Sequence, residues 1–226
     1  MTTRPSALIA VVGNATDVGK TWVAAALVPL LIDAGRRVSV RKPVQSFAAD
    51  ELATDADVLA AATGEDAQEV CPSARRYPLA MAPPIAAHRL GAAPIALHDL
   101  QAELTWPDGI DIGIVETVGG VRSPMADDGD SAAFARSILP DHVLLVADAC
   151  LGAINAVRLS AGALSPMPMT VMLNRFDGDN EVHEGNRAWL ADRDGYAVVT
   201  SVDECAAALL RLLPIGGTDP GGRLPG

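Results

Sequence analysis

Short apolar runs alternate with longer stretches of helical periodicity along most of the chain. Residues 7–12, Ala7-Leu8-Ile9-Ala10-Val11-Val12, form an unbroken apolar run ending in Gly13. That is the pattern of a strand buried on both faces. Residues 22–34, rich in Ala and Leu, predict a helix stopped at Gly35. Residues 37–44 alternate at first and predict a second strand, and residues 55–63 predict a helix stopped at Gly64. The stretch 65–94 carries Pro72, Pro78, Pro83, Pro84 and Pro94 and is the least regular, with a short helical piece near 85–90. Residues 97–104 predict a helix, and 111–115 a third strand with Glu116 at its C-terminal edge. Further helices are predicted at 131–139, 155–164, 182–192 and 203–213, and strands at 142–147, 169–173 and 197–202. Residues 216–226 are rich in Gly and Pro and read as a mobile tail, leaving 1–215 as a single domain.

Strands that alternate with helices and are themselves apolar predict an α/β fold: a parallel sheet covered by helices on both faces, in three layers α/β/α. Ligands of such sheets collect at the carboxyl ends of the strands. Gly13, Glu116, Asp148 and Asn174 fall at predicted strand ends and are expected to share one rim.

Composition narrows the partners. Aromatic residues are only 4%, so the core must be built from Ala, Val, Leu and Ile. A net charge of -11 leaves no basic surplus for phosphate backbones, which argues against a general nucleic-acid binder. Cys71, Cys150 and Cys205 are far apart and follow no metal or disulfide spacing, so a reducing cytoplasm is expected. Neither a signal peptide nor an apolar run long enough to span a bilayer is recognised, so no membrane partner is expected.

The strongest chemical signal is Gly13-Asn14-Ala15-Thr16-Asp17-Val18-Gly19-Lys20-Thr21, between an apolar strand and a helix. A loop in that place points backbone N–H groups at phosphate oxygens, and the helix start adds positive partial charge. Lys20 is expected to reach the β- and γ-phosphates and Thr21 to put its hydroxyl on Mg²⁺. The usual first glycine is replaced by Asn14, the glycine lying one residue earlier. Arg41-Lys42-Pro43-Val44-Gln45-Ser46 brings a lysine to the same rim, where it can neutralise charge moving from a γ-phosphate to an acceptor; a solvated strand edge is the plainer alternative. Asp55 reads as a helix cap or a Mg²⁺ ligand, and Glu116 as a second metal carboxylate or a strand-ending acid beside Gly119 and Gly120. Leu151-Gly152-Ala153-Ile154-Asn155 offers N–H groups at a helix start, or a plain glycine turn. Asn174 carries both a donor and an acceptor and could read an adenine edge or form a turn.

Taken in order, GNATDVGKT, RKPVQS, TDADVL, RRYPLAMAPPIAAH, IVETVGG, LGAIN and VMLN resemble the dethiobiotin synthetases, a ligase family of the phosphate-loop NTPase type. The resemblance runs from Ile9 to about Asn174. It implies ATP as co-substrate, Mg²⁺, and a homodimer with sites completed across the interface. In the family, 7,8-diaminononanoate takes up CO₂ as a carbamate, which attacks the γ-phosphate; the second amine then closes a cyclic urea and releases phosphate. By position, Lys42 resembles the catalytic lysine, acting with Lys20 and Thr16. Nucleotide contacts are implied for Asn14, Ala15, Thr16, Asp17, Val18, Gly19, Lys20, Thr21, Trp22, Asp55, Glu116, Thr117, Val118, Gly119, Asn174 and Arg175. The metal set would be Thr21, Asp55 and Glu116. The substrate would meet Thr16, Asp17, Lys42, Ser46 and Gly119, with Leu151, Gly152 and Asn155 supplied by the neighbouring subunit.

Three departures stand out. Glu116-Thr117-Val118-Gly119-Gly120 replaces Glu-Gly-Ala-Gly-Gly, so two bulkier side chains are expected where backbone should approach the ligand, weakening its binding. Residues 199–203, Val-Thr-Ser-Val-Asp, replace a Gly-x-Ile-Pro segment near the adenine. Ala156 follows the LGAIN segment in place of His or Thr. A nucleotide-binding homologue without turnover, or another amide-forming ligase of the same domain type, is the alternative reading.

Overall fold

A computed structural model describes residues 4–213; the predicted tail at 216–226 lies outside the described residues. The elements, in chain order, are β1 (Ala7–Gly13), α1 (Lys20–Asp33), β2 (Val38–Arg41), β3 (Gln45–Ser46), α2 (Asp55–Thr63), α3 (Ala67–Val70), β4 (Arg76–Tyr77), α4 (Pro83–Arg89) and α5 (Leu97–Ala102). There follow β5 (Ile112–Gly120), β6 (Pro124–Ala126), β7 (Gly129–Asp130), α6 (Ser131–Ser137), β8 (His142–Asp148), α7 (Ala153–Leu164), β9 (Met169–Asn174), α8 (Glu181–Ala188), β10 (Ala197–Val199) and α9 (Val202–Leu212). Side chains close several helix starts by accepting orphan N–H groups: Asp130 for α6, Asn180 for α8 and Ser201 for α9.

Six strands form one parallel sheet in the order β10-β9-β8-β1-β5-β2. From β1 the chain goes to the edge strand β2, returns to insert β5 between them, then crosses to β8 on the other side. β1 is thus the switch point, and a crevice opens at its carboxyl end. Strand alternation sends Ile9, Val11, Ile112 and Ile114 into one core with α1, α2 and α9, and sends Leu8, Ala10, Val12 and Val115 into another with α6 and α7. The three layers are those expected. No helix among the described residues is long and apolar enough to cross a membrane.

The differences lie at boundaries. The second strand stops at Arg41: the Lys42 N–H leaves the sheet and donates to Val70 O of α3. The strand expected at 197–202 ends at Val199, because Ser201 begins the cap of α9. The helix expected over 182–192 is α8 followed by a π turn, Trp189–Arg193. Short α3, β4 and the β6–β7 hairpin carry no periodic signal. Glu116 does not end its strand, since β5 runs on to Gly120. Between the pairings Val11–Glu116 and Gly13–Gly120, one β1 residue faces three on β5, a bulge that holds Thr117, Val118 and Gly119.

Candidate active site

The loop from Asn14 to Gly19 leaves β1 and enters α1 beside the end of β5. Two glycines make that approach possible. A Cβ on Gly120 would stand 2.9 Å from Asn14 O. Gly19 has φ +91, and the Asn174 amide packs where its Cβ would be. The Asn174 Nδ2 donates to Val18 O at 2.9 Å, so this side chain braces the loop from β9.

A charged cluster sits on the crevice floor. Lys42 Nζ lies 2.5 Å from Glu116 Oε1 and 2.7 Å from Asp55 Oδ2. Thr21 Oγ1, in the first turn of α1, lies 2.8 Å from both Asp55 Oδ1 and Glu116 Oε1. The four residues come from α1, the end of β2, the start of α2 and β5. Lys42 and Glu116 are buried. Burial works against the Lys42 charge, but the Glu116 and Asp55 carboxylates outweigh it and raise its pKa above the ordinary lysine value. Lys42 is therefore a fixed cation and not a general base. Burial also pushes against the Asp55 charge, yet Lys42 and the Thr21 hydroxyl hold its carboxyl below the usual range. Lys20, buried on the same floor, is pulled the other way. Burial first, and then the Lys42 charge, lower its pKa against the opposing carboxylates. An ammonium so poorly solvated and so close to another gains from an arriving anion.

The donors also fit a divalent cation. Glu116 Oε2 is buried and has no hydrogen-bond partner. With Asp55 and the Thr21 hydroxyl it gives an all-oxygen set of two carboxylates and one alcohol. Among the described residues no group of three or more His, Cys, Asp or Glu could hold a metal. Mg²⁺ needs no such group, since it takes one or two carboxylates and completes its shell with water and phosphate.

A cavity of about 760 Å³ covers this floor. It brings together Thr16, Asp17, Gly19, Lys20, Thr21, Trp22, Lys42, Ser46, Asp55, Glu116, Val118, Gly119 and Arg175. A second cavity of about 820 Å³ adjoins it, sharing Gly19, Trp22 and Arg175 and adding Asn174, Phe176, Thr200 and Asp203. Arg175 stands over the junction. It has φ +56, donates to Asp17 O at 2.9 Å and pairs with Asp148 at 3.1 Å. Asp17 also has a positive φ, +59. Asn14, Ala15, Val18 and Thr117 line neither cavity, nor do Leu151, Gly152 and Asn155 at the start of α7.

Thr117 and Val118 do not lie side by side over the cavity. Thr117 is fully buried and its hydroxyl donates to Val11 O at 3.3 Å, while its carbonyl lies 3.4 Å from Lys42 Nζ. The bulge turns Val118 into the core opposite the Glu116 face, where it touches the cavity only as wall. The close approach to the loop is made by Gly120. Sequence reading passed over Gln45, Phe47, Glu51, Met81 and Ser123, which also line the cavity. Gln45 stood inside the lysine motif and Met81 inside the Pro-rich segment at residues 75–88; Phe47, Glu51 and Ser123 lie in irregular segments without a pattern. Burial pushes the Cys71 and Cys205 thiols up to about 12, leaving them inert packing groups.

A parallel sheet whose strand order reverses at β1, a phosphate-binding loop, and an acid–hydroxyl set beside it define a phosphate-loop NTPase domain. Similar folds occur in a plasmid partition protein from Borrelia burgdorferi (TM-score 0.53, 14% identity, 94% of this chain and 98% of that one) and the signal recognition particle receptor FtsY from Elizabethkingia anophelis (0.53, 17%, 87% and 58%). At such identities they establish the fold alone. A family model described as an AAA domain matches residues 8–204. Three relatives are named ATP-dependent dethiobiotin synthetase BioD. The one from Haloferax mediterranei is 36% identical over 199 residues, covering 84% of this chain and 82% of its own. That from Corynebacterium efficiens is 34% identical over 208 residues, covering 92% and 89%. That from Streptomyces avermitilis is 34% identical over 158 residues, covering 70% of this chain but 65% of its own length. The chain belongs to the dethiobiotin synthetase family.

Proposed function

We propose that the chain is a cytoplasmic, ATP- and Mg²⁺-dependent ligase. It would close the cyclic urea of dethiobiotin from 7,8-diaminononanoate and CO₂ and release ADP and phosphate. The observation that carries the reading is Lys42: a buried ammonium held by Asp55 and Glu116 on the crevice floor, beside Lys20, whose pKa is lowered by burial and then by the Lys42 charge. An anionic carbamate approaching a triphosphate needs positive charge at the point of contact.

Each residue then has a task. Loop N–H groups hold the phosphates, and Lys20 follows the γ-phosphate. Lys42 meets the charge that builds as the carbamate oxygen bonds to the γ-phosphorus and the bond to the ADP oxygen breaks. Mg²⁺, held through Thr21, Asp55 and Glu116, would when bound neutralise the β- and γ-phosphate oxygens. Thr16 and Ser46 orient the carbamate from the cavity walls. Phe47, Met81, Pro83 and Pro124 give that cavity an apolar side, which keeps water from the mixed anhydride. The second amine then bonds to the carbamoyl carbon, phosphate leaves with the C–O bonding pair, and the amine's proton goes with it as hydrogen phosphate. Trp22, Asn174 and Arg175 border the adjoining cavity, which suits the base and ribose of ATP.

The same reading makes the active unit a homodimer. Leu151, Gly152 and Asn155 of one subunit would hold the diamine's far carboxylate in the other. Leu151 is 89% exposed and Leu159, on α7, 67% exposed, which supports a covered face there. The function is tested by phosphate release with ATP, Mg²⁺, bicarbonate and diaminononanoate, each left out in turn. Release is expected only from the complete mixture. Release without the diamine, or none at saturating substrates, would sink the proposal.

A further inference from the structure

Gln45 has no part in the phosphate or substrate contacts above, yet it is a buried polar side chain next to the cluster. β3 pairs its backbone with Arg76 of β4, fixing the residue beneath the start of α2. Its Nε2 donates to Thr54 Oγ1 at 3.1 Å, and its Oε1 accepts the Ala56 N–H at 3.0 Å. These two partners bracket Asp55. The amide orientation is dictated by chemistry. The Thr54 hydroxyl is committed as a donor to Asp57 Oδ2 at 2.8 Å and must accept from Gln45, while the Ala56 N–H can only donate. Asp57 also accepts the Thr54 N–H at 2.9 Å, so the whole first turn of α2 is pinned from two sides. Without Gln45 the outer pin remains, but Asp55 would lose the clamp that sets its carboxylate beside Thr21 and Glu116.

We propose that Gln45 is a positioning residue that aims the Asp55 carboxylate at the divalent cation accompanying the nucleotide. This rests on the metal role given to Asp55 above. Loss of a partner that orients a metal ligand typically weakens the metal by about ten- to a hundred-fold.

The test measures Mn²⁺ binding by electron paramagnetic resonance in the presence of saturating β,γ-imido-ATP, for the parent, Gln45→Met and Asp55→Asn. Binding of the same analogue in EDTA is measured alongside. Gln45→Met, which keeps length and bulk, should weaken Mn²⁺ by about ten-fold or more. Metal-free analogue binding should stay within about two-fold, because the loop is untouched. A merely structural residue would lower both together. Should Gln45→Met not fold, Gln45→Glu keeps an acceptor for Ala56 but no donor for Thr54, and is expected to weaken the metal in the same way. Mn²⁺ affinity unchanged in the Gln45 variant but lost in Asp55→Asn overturns the role of Gln45 alone. Affinity unchanged in Asp55→Asn as well overturns the metal role of Asp55, and that of Gln45 with it.

Discussion

Replacing Lys42 by Met keeps a side chain of similar length and removes the charge. The parent holds the ammonium 2.5 Å from Glu116 and 2.7 Å from Asp55, with side-chain exposures of 3% for Lys42, 0% for Glu116 and 40% for Asp55. Removing one partner of a buried ion pair costs about 3–5 kcal/mol, because the other charge stays buried. Water reaches Asp55 and relieves its share, so Glu116 dominates and about 3 kcal/mol is expected. For a domain of this size that is a Tm loss of about 6–12 °C. The same change takes a charge-stabilising donor from the transition state and should lower kcat by about 10² or more, with nucleotide still bound.

A second effect separates this account from simple core damage. In Lys42→Met the two carboxylates lose the ammonium bonded to both of them, and Lys20 alone is left nearby. Mg²⁺ without nucleotide should then raise the variant's Tm more than the parent's. Saturation at about 100 times Kd is worth about 2.7 kcal/mol, enough to recover most of the loss. Thermal melts with and without Mg²⁺, beside a phosphate-release assay, give all three readings. A variant melting within about 2 °C of the parent, with equal Mg²⁺ response and near-parent kcat, would refute the reasoning.

Three further outcomes are expected. In the parent, Asp55 has a lowered pKa, so its contribution is present above the ordinary carboxylate range, about 4, and is lost as pH falls through its folded value; in Lys42→Met the two Lys42 contributions are gone and only the Thr21 hydroxyl and Lys20 oppose burial, so the Asp55 pKa should rise, the Tm gap between the two proteins should shrink from pH 7 to pH 4, and a constant gap would count against the pairing. Mixing inactive Lys42→Ala and Asn155→Ala chains should restore up to about a quarter of the activity if each site draws on both subunits, whereas no recovery after proven subunit exchange argues for self-contained sites. The double variant Thr117→Gly with Val118→Ala should lose about 3 kcal/mol, a Tm drop of about 6–12 °C, and gain nothing in KM, since Thr117 is off the cavity and Val118 is packed into the core at its wall; a KM several-fold lower would restore the steric argument.

Local patterns gave good access to whatever depends on local periodicity. The apolar run Ala7–Gly13, the Gly64 stop after α2 and the phosphate-loop motif could each be read without tertiary knowledge, because burial on both faces of a strand and a left-handed helix stop leave compositional marks. Lys42, Asp55 and Glu116 are ambiguous by local pattern, which fits a strand edge, a helix cap and a strand-ending acid equally well; the family resemblance singles them out, and the structure brings the three side chains together. What escaped depends on pairing between distant segments. Gln45 looks like any polar residue in a loop until Thr54 and Ala56 are seen on either side of its amide.

Thr117 and Val118 show the limit most clearly. Read as a linear motif, two bulky residues between a glutamate and two glycines must crowd the ligand. Strand alternation alone would also point Val118 to the same face as Glu116. Both inferences assume one β5 residue for each β1 residue. The register instead sets three against one between Glu116 and Gly120. Such a bulge re-aims side chains at the end of a ladder. It leaves Glu116 on the floor beside Thr21, buries the Thr117 hydroxyl on Val11 O, turns its carbonyl toward Lys42 and sends Val118 into the opposite core. The extra bulk thereby goes into core packing, with Thr117 off the cavity and Val118 at its wall. The glycines that remain, placed one bulge later, are those the phosphate loop touches.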